Sequence, residues 1–69
     1  MATKNNCPTL LKVQPDEPIF VLRAQDMTAP ATIRKWVAFN ADTAPARKLA
    51  EALECAAVME HWPNRKMPD

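Results

Sequence analysis

The chain has 69 residues, nine basic and eight acidic side chains, a formal net charge of +1 and a hydrophobic content of 48%. A single domain of this length hides only about 60% of its unfolded surface, so a disulfide, a metal or a partner subunit is the usual extra source of stability. The balanced charge excludes the strongly basic face of a duplex nucleic-acid binder, and the longest apolar run, Pro18 to Leu22, is too short to cross a membrane.

In chain order, residues 1–8 are polar and are expected to form a disordered N-terminal segment ahead of a single small domain over residues 9–69. Thr9 to Val13 reads as a short strand. Gln14 to Pro18 carries two prolines and two acids and reads as a turn. Ile19 to Gln25 is the strongest strand signal, with Phe20, Leu22 and Ala24 on one side and Ile19, Val21 and Arg23 on the other. A lone strand is not stable in water, so this one must pair with Thr9–Val13 or with its own copy in a second subunit.

Two helices follow. Both open on Thr-Ala-Pro-Ala, at Thr28 and at Thr43, where threonine suits the N-cap and proline loses no needed N–H. The first helix is expected from about Ala29 to Asn40, with Ile33, Trp36, Val37 and Asn40 on one stripe. The second is expected from about Ala44 to His61, with Leu49, Ala52, Leu53, Ala56 and Met59 as its stripe. Ala50, Ala57 and Val58 widen that stripe beyond one face, and part of it reads as a subunit interface. The short Asn40–Asp42 link makes the helices an antiparallel hairpin. The expected fold class is therefore α+β: a short strand or β-hairpin packed on a two-helix hairpin, assembled as a homo-oligomer.

The residues with chemistry to offer gather at the junction before the first helix. Arg23 carries five donors suited to phosphate or carboxylate, and it lies just ahead of unpaired helix amides. Gln25 and Asp26 could contact a sugar or base. The structural alternative makes Asp26 a helix cap and pairs Arg23 with Asp26 or Glu17. Arg47 and Lys48 sit in the first turn of the second helix, against the helix dipole, where an anion or Glu51 would relieve them. Trp36 could stack on a base or fill the core, and Trp62 suits the end of the bundle or an interface. Arg23, Gln25, Asp26, Arg47 and Trp36 are thus the candidate ligand-binding residues.

Other chemistry is poorly served. Glycine is absent, which excludes the phosphate cradles of Walker and dinucleotide type. Cys55 and His61 fall on nearly opposite helix faces, so no metal site is expected. One histidine and no strained nucleophile turn leave no case for an enzyme, and no cofactor is implied. Met1 to Asn6 has no apolar core, so Cys7 and Cys55 are expected as free thiols in a reducing cytoplasm.

The run Glu17-Pro18-Ile19-Phe20-Val21-Leu22-Arg23-Ala24-Gln25-Asp26, followed by Ala29-Pro30 and Trp36, resembles a family of short phage- and prophage-encoded accessory proteins of unassigned role. The resemblance spans roughly Asp16 to Trp62 and implies a phage origin and action in the cytoplasm of the host cell. By analogy with phage accessory proteins of this size, it implies a part in countering host defence. Together with the junction chemistry, the expected function is a homo-oligomer that binds and sequesters an anionic, nucleotide-like small molecule. The alternative is an interaction protein that binds and inhibits a host or phage protein.

Overall fold

The computed structural model describes residues 2–67. The expected N-terminal segment and the expected domain each extend past these limits, at Met1 and at residues 68–69, and those positions lie outside the described residues. Three helices form: α1 (Pro8–Lys12), α2 (Ala29–Phe39) and α3 (Ala46–Glu60). Among the described residues there is no strand, only two isolated bridges, Thr3 with Asn6 and Asp26 with Lys66.

The fold is all-helical, which corrects the expected α+β class. Thr9–Val13 is not a strand, because Pro8 occupies the first turn of α1, where its fixed φ is already helical. Leu10, Leu11 and Lys12 then favour continuing the helix. Ile19–Gln25 is not a strand either. Its β-branched and aromatic residues fit a pleated surface only when a neighbouring strand supplies the ladder, and α1 has removed the one intramolecular candidate.

The two long helices lie close to their expected limits. Asn40 ends α2, with its backbone N–H and its side-chain amide both donating to the Trp36 carbonyl at 3.1 and 2.8 Å. Its own side-chain oxygen accepts the Thr43 hydroxyl at 3.3 Å. Thr43 is therefore spent on the turn and does not cap α3. Pro45 holds that place instead, at φ −59° and ψ 142°, and α3 starts at Ala46, later than the expected Ala44. The residue before a proline is pushed out of the helical region, which accounts for the delay.

Helix–helix packing is confined to α2 and α3, the one pair of helices in contact among the described residues. Arg34, midway along α2, pairs with Glu60 at the end of α3, and Arg65 bonds the carbonyls of both Met27, just before α2, and Glu60. Among the described residues the side chains hidden completely are Ala29 and Ala56, one on each helix, and Pro30 is buried beside Ala29. Ile33, Val37, Leu49, Ala52 and Met59 are half-buried, whereas Leu53, expected on the α3 stripe, is 44% exposed, so the stripes point inward only in part. Trp36 is 47% exposed and only borders this seam. Ala50, Ala57 and Val58 face outward.

The accessible surface is 5885 Å², against about 4,300 Å² for a folded monomer of this mass. The radius of gyration, 12.7 Å, likewise exceeds the roughly 11 Å of a compact chain of this length. Because small side chains let α2 and α3 approach closely, Ala56→Leu should overpack the seam and lose about 1–3 kcal/mol in urea unfolding. Ala57→Leu, on the outer side of α3, should stay within about 0.5 kcal/mol of wild type.

Candidate functional site

The junction before α2 is built from short-range hydrogen bonds. The Asp26 N–H donates to the Arg23 carbonyl at 2.9 Å, and the Ala29 N–H donates to the Asp26 carbonyl at 3.1 Å. The Asp26 carboxylate reaches forward. Its Oδ1 accepts both the Thr28 N–H and the Thr28 hydroxyl, each at 2.7 Å. Thr28 occupies the N-cap position of α2 without capping through its own side chain. The capping anion is Asp26, two residues earlier.

The chain's end closes over this junction. Met27 N–H donates to the Lys66 carbonyl at 2.8 Å, and Lys66 N–H donates to the Gln25 carbonyl at 2.7 Å. Arg65 spans the gap below. Its Nη2 donates to the Met27 carbonyl at 3.0 Å and its Nη1 to the Glu60 carbonyl at 3.3 Å. A cation is well placed there, since Glu60 ends α3 and the carbonyl end of a helix carries partial negative charge. Arg65 therefore joins the last turn of α3 to the entry of α2. The sequence reading missed it, because it lies in a tail without periodicity. The one available signal was a cation just past the end of a helix.

Both carboxylates here are stabilised in their charged form. The Thr28 hydroxyl, followed by the Thr28 N–H, holds the Asp26 carboxyl below the usual carboxylate range; partial loss of hydration opposes this, and the Arg65 charge adds to it. The Arg34 guanidinium does the same for Glu60, chiefly through their hydrogen bond.

The five candidate ligand residues do not form one cluster. Arg23 projects into solvent with no ion pair among the described residues. It pairs with neither Asp26 nor Glu17. Gln25 is half-buried, with its carbonyl bound to the tail, and Asp26 is committed to Thr28. Arg47 lies at the far end of the hairpin, where α3 begins, with its Nε 4.0 Å from Glu51. The length of α2, about 16 Å at 1.5 Å per residue, separates that end from Asp26. Trp36 lies in the last turns of α2. The carboxylate nearest the α2 N-terminus, that of Asp26, is bonded to Thr28.

No group of three or more His, Cys, Asp or Glu side chains capable of holding a metal occurs among the described residues. Cys7 and Cys55 are both free thiols and half-buried. No helix is long and apolar enough to cross a membrane among the described residues. An open depression of about 320 Å³ is lined by Lys35, Ala38 and Phe39. Phe39 is 87% exposed although it belongs to a regular helix. Lys35, Trp36 and Phe39 are spaced i, i+1 and i+4, which puts the lysine and both rings on one flank of α2. That flank went unread in the sequence because Trp36 was assigned to the buried stripe. No protein-family model, curated protein or solved structure matches this chain.

Acid should loosen the junction. A carboxyl whose folded pKa is depressed adds stability above its unfolded value, near pH 4, and that contribution disappears as pH falls through the lower folded value. The wild-type Tm should therefore fall between about pH 5 and pH 2, and the Asp26→Asn, Glu60→Gln double variant should show a flatter acid limb. Circular dichroism melts across that range give the comparison; parallel acid limbs would remove the two carboxylates as its cause.

Proposed function

We propose that this chain is an interaction protein, which binds and inhibits a protein partner through the exposed outer flank of α2. The observation that carries the reading is Phe39, a large aromatic 87% exposed on a helix, beside a half-exposed indole and a lysine that makes no ion pair among the described residues. Exposed aromatics in a cluster are the usual anchors of protein interfaces, with a charged rim that sets orientation. The partner that fits is a protein with an apolar pocket and an acidic rim, the pocket for Phe39 and the rim for Lys35. With the resemblance to phage accessory proteins, the setting is the cytoplasm of a host cell and the partner a host or phage protein.

The nucleotide-like ligand is the second reading. It is favoured by Arg23, whose guanidinium is free to take a phosphate, and weakened by the commitment of Asp26 to Thr28. A photoreactive amino acid at Phe39 should trap one stoichiometric protein in infected or prophage-bearing cells. Adding a second substitution, Lys35→Glu, should reduce that trapping at least tenfold, about 1.4 kcal/mol of binding, while the same probe at Glu54 traps nothing. Equal labelling at both positions would discard the docking flank. Isothermal titration of the folded protein with cyclic di- and trinucleotides and ADP-ribose derivatives tests the second reading, and saturable heat abolished by Arg23→Ala would restore it.

A further inference from the structure

Residues 17–23 run without helix, turn or bend, and all of them but the half-buried Leu22 are exposed. From Pro18 to Leu22, no backbone N–H or C=O has a hydrogen-bond partner among the described residues. The side chains are as bare as the backbone: Ile19 is 55% exposed, Phe20 88% and Val21 64%. A run of aliphatic and aromatic residues with unpaired donors and acceptors is a template for another extended chain. Within one copy the only segment once expected to fill that role is the helix α1.

We propose that this segment is the contact with a second copy of the chain, in which Pro18–Leu22 pairs antiparallel with Pro18–Leu22 of the second copy about a two-fold axis at Phe20. Each chain keeps its helical fold, and the pairing exists only between copies. Charge selects the register. With the axis at Phe20, Glu17 stands opposite Arg23 of the second copy at both ends, and opposite charges across a pair are favourable. Parallel pairing would instead set Arg23 beside Arg23.

Proline selects the phase. Pro18 has no N–H, so it takes a position whose backbone points away from the partner. Phe20 and Leu22 share that parity, which leaves Ile19 and Val21 to exchange N–H and C=O with Val21 and Ile19 of the second copy. Phe20 then meets Phe20 at a non-hydrogen-bonded position, where side chains lie closest.

The segment lies outside α2, so a second copy on it leaves the α2 flank available, and the pairing stands independently of the docking role given to that flank.

Sedimentation velocity of the full chain should give twice the 7.7 kDa protomer mass. Val21→Pro removes an inward N–H outside the helices, and should give monomers with the helical circular dichroism unchanged. In a Cys7→Ser, Cys55→Ser background, oxidation of Phe20→Cys should crosslink copies at least tenfold faster than Leu22→Cys, because only the residue on the axis faces itself. Phe39→Asp should leave the dimer mass unchanged, which separates this contact from the docking flank. A single-copy mass at every soluble concentration overturns the proposal. A dimer indifferent to Val21→Pro, or crosslinked equally through positions 20 and 22, overturns it as well.

Discussion

A scarcity of buried apolar surface governs this protein. Two alanines are its fully hidden apolar side chains among the described residues, and alanine brings little transfer free energy when buried. What alanine does provide is proximity, because α2 and α3 can approach without a bulky side chain between them. The half-buried residues on either side then complete a thin seam. Everything else follows from how little that seam conceals: the excess surface, the exposed rings and the reliance on polar ties at one end of the hairpin.

Those ties are concentrated where the chain's two distant parts meet. Arg65 donates to carbonyls from residues 27 and 60, and the tail backbone exchanges hydrogen bonds with Gln25 and Met27. Asp26 supplies the anion that the α2 entry favours. The same arrangement occupies most of the polar groups at this end of the molecule. Its donors are turned toward the chain's own carbonyls and carboxylate, and its one free cation among Arg23, Arg34 and Arg65 points outward alone. The apolar groups lie elsewhere, on the α2 flank and on the extended segment, and both are surfaces suited to another polypeptide.

Much of the helical hairpin was legible in the residues. The stripes of α2 and α3, the proline at each helix start and the role of Asn40 in ending α2 all depend on neighbours within one turn, and the sequence displays such neighbours directly. The α+β class failed because β-propensity is conditional. Ile19 to Leu22 has the right side chains, but a strand also requires a second backbone at hydrogen-bonding distance, and α1 withdrew it. The candidate ligand residues were grouped by their functional groups, and the hairpin then placed Arg47 at the opposite end from Asp26. Arg65 was invisible because its partners are 5 and 38 residues away.

By itself, then, the sequence determined the local matters: roughly where α2 and α3 run, most of the side chains they turn inward, with Trp36 and Leu53 as exceptions, and the absence of glycine from every turn. Each of these rests on residue type or on spacing within a few positions. Tertiary structure alone decided that Asp26 is bonded to Thr28, that Arg65 and the tail lock the entry of α2, and that Phe20 and Phe39 are left uncovered by their own chain. Those outcomes depend on which distant segments arrive beside one another, and a chain with so small a core leaves that to a few long-range hydrogen bonds.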